Sequence, residues 1–334
     1  MKHITIGTRA SKLAMIQTYQ VIERLREQWP SLEITIERIR TKGDHVTDMP
    51  LSHIGGDGVF VTEIERALTE RHIDLAVHSL KDLPTVQPEG LHLMIVGPRE
   101  DVRDVLVANA AYQFSDRGLQ PTISSTQPLA NLRIGTCSLR RTAQIRALLP
   151  DAQILPIRGN VDTRLRKLAA NEYDAIVLAA AGLHRLDMQE RLIGHVTYFP
   201  IELMMPAPGQ GALALEIRDE PEMRKLLSPL NNLITQAATS AERMFMRRLG
   251  AGCYLPVAAY GEITSETLTL LGLVISLDGQ RHVRVRQSMR WTTTSSIEHA
   301  EQLGVTLAEQ ALAQGADEII SSLNATREQE RQHA

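Results

Sequence analysis

Short apolar runs alternate with stretches of helical period along the first two-thirds of the chain. Runs at residues 4–7, 34–39, 73–77, 91–96, 132–135, 153–157, 175–178 and 212–217 have the length and texture of buried strands. Between them, helical patterns begin near Ser11, Val59, Ser138, Asn160 and Leu186. In the second of these, Phe60, Ile64 and Leu68 fall four apart and make one apolar stripe. Such alternation predicts mostly parallel sheets covered by helices. The polar stretch 108–130, with Gly118, Pro121, Ser124, Ser125 and Pro128, is expected to separate two such units. Pro206-Ala207-Pro208-Gly209-Gln210-Gly211 is a second break. Two crossings predict a hinged pair of α/β domains.

After Pro229 the texture changes. A helical pattern runs to Leu249, a loop holds Gly250-Ala251-Gly252-Cys253, and strands at 268–275 and 282–289 flank the hairpin pair Asp278-Gly279. A helix follows near 300–313, which predicts a small α+β domain. The charged residues after Thr326 are expected to fray. The expected division is 1–104 with 206–227, then 105–205, then 228–334.

A length of 334 residues suits two or three domains. The net charge of −3 argues against a general nucleic-acid binder, and an aromatic content of 4% leaves few rings for bases to stack on. No apolar run approaches a membrane span. The opening Met1-Lys2-His3-Ile4 runs straight into a strand-like segment without a signal-peptide pattern, so the expected location is the cytoplasm. Cys137 and Cys253 form no CxxC pair and no disulfide framework. No HExxH pair occurs, and no metal site is expected. Gly209-Gln210-Gly211 precedes a strand, the wrong context for a dinucleotide fingerprint, and Gly55-Gly56-Asp57-Gly58 lacks the Gly-Lys-Ser/Thr of a P-loop.

Four constellations carry candidate chemistry. His78-Ser79-Leu80-Lys81-Asp82-Leu83-Pro84 ends an apolar strand in a polar cluster, where open α/β sheets bind ligands. A carboxylate beside a lysine there either stabilises positive charge and moves protons or forms a plain surface ion pair. Gly135-Thr136-Cys137-Ser138-Leu139-Arg140-Arg141 puts an N-cap serine and two arginines at a helix start. First-turn arginines oppose the helix dipole, and a bound anion would explain them. Arg158-Gly159-Asn160-Val161-Asp162-Thr163-Arg164 repeats the plan. Two such sites imply a ligand with several acidic groups. Cys253, in its Gly-rich loop, is either a small buried hydrophobe or an exposed nucleophile.

Together with Thr8-Arg9-Ala10-Ser11-Lys12-Leu13-Ala14, Pro208-Gly209-Gln210-Gly211-Ala212 and Gly252-Cys253, these motifs occur in the order found in the hydroxymethylbilane synthase (porphobilinogen deaminase) family, which the chain resembles from about Ile4 to Gly261. The resemblance implies two similar hinged α/β domains, periplasmic-binding-protein-like, plus a small C-terminal α+β domain. It implies a transferase that joins four porphobilinogen molecules head to tail with loss of ammonia. It implies as primer a dipyrromethane cofactor bound to Cys253 by a covalent thioether, and release of hydroxymethylbilane by water for porphyrin biosynthesis. It implies Asp82 as the catalytic carboxylate. It implies Lys81, Arg140, Arg141, Arg164 and Arg185 as cofactor-binding, and Arg9, Ser11 and Arg158 as substrate-binding. The implied partner is a small molecule acting on a cytoplasmic monomer, with no nucleic acid and no membrane. Asp57, Leu155, Cys137 and Ala251 stand where relatives carry lysine, arginine, serine and glycine, so the charge of the Gly55–Gly58 loop is reversed. The rival reading is a non-catalytic, periplasmic-type binding module for an acidic ligand.

Overall fold

The computed structural model describes residues 2–41, 61–115, 118–121, 129, 131–188, 195–252, 255–292 and 294–332. Asp57 and Cys253 lie outside the described residues.

β1 (His3–Arg9), α1 (Lys12–Gln28) and β2 (Glu33–Ile39) open the chain, with β1 and β2 parallel. α2 (Thr62–Thr69), β3 (Leu75–Ser79), one 3₁₀ turn (Leu80–Asp82) and β4 (Leu91–Val96) follow. The chain then crosses into β5 (Asp104–Ala108) and the hairpin β6 (Tyr112–Ser115) and β7 (Gly118–Pro121). Next come β8 (Arg133–Gly135), α3 (Leu139–Leu148), β9 (Gln153–Leu155), α4 (Val161–Ala169), β10 (Ala175–Ala179), α5 (Ala180–Arg185) and β11 (His195–Tyr198). β12 (Leu213–Arg218) returns. The first sheet runs β2-β1-β3-β12-β4 and the second β11-β5-β10-β8-β9. Each takes in an antiparallel strand: β12 against β3 and β4, β5 against β10 and β11.

Burial follows the period. On α1, Val21, Ile22 and Leu25 are buried against Ile4, Ile6, Leu75, Val77, Leu215 and Ile217 of the first sheet. Each such side chain contributes roughly 1.5–3 kcal/mol. The other face is covered by Ile64 and Leu68 of α2, packed on Ile73 and Ala76. The second sheet is covered by α3 through Ile145, among Leu106, Ile134 and Val177, and by α4 through Leu168, among Val105, Val107 and Ile176.

Two expectations need correction. Residues 108–130 do not separate the units, because β5 already pairs inside the second sheet and the β6–β7 hairpin follows it. The first crossing is the shorter segment between β4 and β5, whose polar residues satisfy one another: Arg103 N and Nε both donate to Asp101 Oδ1, at 2.9 and 3.0 Å. No helix starts at Leu186. That residue caps the C-terminus of α5, which follows β10 without a loop.

The C-terminal region has α6 (Pro221–Leu227), α7 (Leu233–Arg248), β13 (Val257–Thr264), β14 (Thr267–Ile275), β15 (His282–Arg290), α8 (Ile297–Ala311) and α9 (Asp317–Gln332). β13, β14 and β15 form an antiparallel meander. α7 and α8 cover one face through Phe245, Leu303 and Leu307, packed on Leu268 and Leu270.

The second crossing is held open by glycine. Gly211 has φ +90°, and a Cβ there would run into the carbonyl oxygen of Glu100. Gly211→Ala is therefore expected to cost roughly 1–3 kcal/mol from backbone conformation alone. Denaturant titration measures this, and an unchanged midpoint would remove the steric account.

Candidate active site

β1 and β3 are parallel neighbours, so Arg9 and the turn after Ser79 emerge at the same end of the first sheet. Buried Leu80 and Leu83 anchor that turn. Between them Lys81 is half-buried and Asp82 exposed. The other motif residues are committed elsewhere. His78 is buried, its Nε2 lying 3.1 Å from Glu216 Oε2, although the two are not aligned as a hydrogen bond. Ser79 Oγ accepts from Gln17 Nε2 at 2.8 Å, which ties α1 to the end of β3. Lys81 Nζ donates to Gln210 Oε1 at 3.3 Å. Arg243, on α7, donates to the carbonyls of Leu83 and Pro84 at 3.2 and 2.6 Å and steadies the segment just after Asp82.

The facing wall is α3, capped by Ser138, whose Oγ accepts from Arg141 N at 3.5 Å. The anion that justifies its two first-turn arginines is in the protein: Asp104, at the head of β5 and fully buried. Arg140 Nη1 meets Asp104 Oδ2 at 2.7 Å and the Met205 carbonyl at 2.7 Å. Arg141 Nε and Nη2 meet Asp104 Oδ1 at 3.1 and 2.7 Å, while its Nη1 donates to Val177 O at 3.0 Å. Gln210 Nε2 adds a bond to the same Oδ1 at 3.0 Å. Burial alone would raise the Asp104 carboxyl, but the two guanidiniums outweigh it and hold the group well below the usual carboxylate range. Sequence reading missed Asp104. Its one signal is a carboxylate heading the apolar run Val105–Ala108.

Lys81 is pushed down to about 8 by burial and by the Arg141 charge, with Asp82 and Asp104 opposing. Arg164 is lowered by burial and by Arg141 and Arg158, while Cys137 and Asp82 act the other way. Its Nε donates to Gly159 O at 2.8 Å. Hydrogen bonds link Lys81 through Gln210 to Asp104 and so to Arg140 and Arg141, while Asp82, Arg158, Arg164 and half-buried Cys137 act on the same charges. Of the four remaining predicted residues Cys253 lies outside the described ones; Arg9 ends β1, and Ser11 and Arg185 stand on two helices that touch. Ser11 caps α1, accepting from Ala14 N at 3.3 Å, and α1 packs on α5 at Leu13 and Gly182. Arg185, at the end of α5, donates from Nη2 to Gly211 O at 2.7 Å and is brought down to about 10, chiefly by burial.

The cations here outnumber Asp82 and Asp104, and beside burial the arginine charges lower Lys81, Arg140 and Arg164. The arrangement therefore fits a group rich in carboxylates, such as a dipyrromethane with its acetate and propionate arms. Among the described residues no His, Cys, Asp and Glu cluster suits a metal.

A second buried carboxylate, Glu242 of α7, was also not foreseen. It takes both terminal nitrogens of Arg99 at 2.6 and 2.9 Å and the amides of Gly209 and Gly261 at 2.7 Å each. It joins both crossings to the C-terminal sheet.

Two family models match the chain: "Porphobilinogen deaminase, dipyromethane cofactor binding domain" over residues 4–225 and "Porphobilinogen deaminase, C-terminal domain" over 237–313. The porphobilinogen deaminase of Syntrophotalea carbinolica is 44% identical over 324 residues, covering 97% of this chain and 96% of that protein. That of Syntrophus aciditrophicus is 44% identical over 319 residues, covering 95% and 98%. That of Chlorobium limicola is 40% identical over 327 residues, covering 98% and 99%. Among solved structures, the BenM effector-binding domain with benzoate overlaps at a TM-score of 0.40 and 14% identity, over 68% of this chain and 90% of that one. The rival reading as a non-catalytic binding module is not favoured, since these relatives carry an enzyme's name along nearly their whole length. The chain belongs to the porphobilinogen deaminase family.

Proposed function

We propose that this chain condenses four porphobilinogen molecules head to tail, with loss of one ammonia each, and then releases hydroxymethylbilane by hydrolysis. The observation that carries the reading is the exposed Asp82 set among Lys81, Arg140, Arg141, Arg158 and Arg164. The domain division 1–104 with 206–227, 105–205 and 228–334 goes with it, supported by the crossings before β5 and before β12. We read the chain as a monomer working in the cytoplasm on a small molecule, with no nucleic acid or membrane. Support comes from the family resemblance and the net charge of −3.

Bound to Cys253 through a thioether, dipyrromethane supplies an electron-rich pyrrole as primer. Lys81, Arg140, Arg141, Arg164 and Arg185 hold its carboxylates. Asp104 already occupies Arg141 Nε and Nη2 and Arg140 Nη1, so those two arginines act through their field and through the other N–H groups of Arg140. Arg9, Ser11 and Arg158 receive the incoming substrate. Loss of ammonia leaves a methylene-pyrrole cation, and Asp82 offers it a fixed negative charge and a base for the proton lost after coupling.

Lys81 supplies the test. Its ammonium, brought to about 8, loses its charge as pH rises through that value, and its hold on a cofactor carboxylate, which positions the primer for the substrate, goes with it. Because kcat/KM reports groups of the free enzyme, it should fall severalfold between roughly pH 7 and pH 9. Lys81→Arg, charged throughout, should lose that limb of the profile. Hydroxymethylbilane formation from porphobilinogen measures both. No product, or a wild-type profile flat across pH 8 at the same ionic strength, would count against the reading.

A further inference from the structure

The Asp278-Gly279 turn has no part in the chemistry above, yet it touches the helix that carries Arg140 and Arg141. Val257 is opposite Val274 and Ile275 opposite His282, so the turn between β14 and β15 leaves the same end of the sheet as the segment leading into β13. That segment, 249–256, includes Cys253. The turn is internally braced. Ser276 N donates to Arg281 O at 2.8 Å, Arg281 N to Ser276 Oγ at 3.0 Å, and Gln280 N to Asp278 Oδ1 at 3.0 Å.

This rigid tip sits against α3 at two points. Arg146 Nη1 donates to Leu277 O at 2.9 Å. Gly279, at φ +76°, approaches so closely that a Cβ would lie 2.6 Å from Ala147 N and 2.8 Å from Ala143 O. Ala143 is buried among Met205, Ala258, Leu273 and Ile275, so the contact continues into a small apolar core shared with β13 and β14. α3 is thus gripped at both ends, by Asp104 at its first turn and by the C-terminal sheet at its last.

We propose that the Ser276–Arg281 turn is a positioning device that sets α3, and with it Arg140 and Arg141, at a fixed distance from the start of β13, the strand that follows the cysteine in the chain. The proposal rests on the site reading above. Cofactor anchor and carboxylate-binding arginines stand on different units, so something must hold their separation. A misplacement of about 1 Å costs up to about a hundredfold in rate.

The test uses full-length, cofactor-bearing protein. Arg146→Ala removes one grip and Gly279→Ala pushes the tip away, and neither residue belongs to the cleft. Each should lower kcat at least about fivefold. Each should also speed amide exchange across α3 while leaving α1 at the wild-type rate. Gly315→Ala, with a similar φ of +92° and nothing within 4 Å of the added methyl, should keep wild-type kcat. The double variant should lose no more than the worse single, because both undo one contact. Wild-type kcat and wild-type α3 exchange in the single variants, or fully additive losses, overturn the proposal. If Gly279→Ala fails to fold, Arg146→Ala decides alone. Arg140→Leu separates the two levels. Unchanged kcat in that variant defeats the site reading itself. Loss there with wild-type behaviour in Arg146→Ala defeats only the positioning role.

Discussion

Cys253→Ser protein is expected to fold, to weigh what its sequence weighs, and to make no hydroxymethylbilane. Wild-type protein should weigh more by one dipyrromethane. The expectation follows from what fixes the loop on either side of this cysteine. α7 ends at Arg248, and its last turn is closed by Gly250 N to Arg247 O at 3.0 Å and Ala251 N to Met246 O at 3.1 Å. Ala251 and Leu255 are buried in the C-terminal core at 3% and 4% exposure, so the chain is pinned just before and just after Cys253. Fixed flanks on both sides of the attachment residue suit a permanently attached primer. A thiol is partly ionised near neutral pH and is a strong nucleophile, whereas a serine hydroxyl without a base is not. The variant should also melt lower, since a ligand bound only to the folded state stabilises it. Intact-mass measurement reads the outcome directly. A fully active wild type carrying no added mass would sink the idea of covalent attachment.

How much of this was legible from residues alone depended on range. The end of β3 was readable because an apolar run, a polar cluster and a proline are all local. The helix starts at Ser138 and Asn160 were readable for the same reason: both residues occupy the N-cap positions of α3 and α4. What was misread is the partner of Arg140 and Arg141. A first-turn arginine pair does need an anion, but which anion is a tertiary fact. Asp104 lies 36 and 37 residues away and meets them only because β5 enters the second sheet beside β10. The segment 108–130 misled because Gly, Pro and Ser mark turns of any kind, the β6–β7 hairpin within a unit as well as a linker between units. Helix α5 was placed too late because it follows β10 directly, with no turn residues to announce it. Two departures from the family pattern have a place in the packing, while nothing in the structure explains Cys137. Leu155 packs beside the core under α4, and the methyl of Ala251 is buried in the C-terminal core.

Asp82→Asn is expected to fold and, given preformed cofactor, to carry it, yet to turn over at least about a hundredfold more slowly. That is the low end for removing one electrostatic stabiliser. Folding should survive because Asp82 is exposed, and the anchors of its turn are Leu80, Leu83 and the carbonyl contacts of Arg243. Asparagine has nearly the same shape, so the change removes charge and little else. Positive charge on the substrate develops only as ammonia departs, so a fixed carboxylate stabilises the transition state more than the ground state and acts mainly on kcat. The setting sharpens this. Lys81, Arg140, Arg141, Arg158 and Arg164 make the cleft favourable for carboxylates and therefore hostile to a cation. Without Asp82 the exposed carboxylate described beside those cations is gone, and the field that binds substrate opposes its reaction. Asp82→Glu keeps the charge but displaces it by a methylene, and should be slow yet measurable. Parallel assays of product formation and intact mass separate chemistry from cofactor assembly. If cofactor-bearing Asp82→Asn protein keeps wild-type kcat, the carboxylate is only a partner for Lys81, and the cation must be stabilised elsewhere.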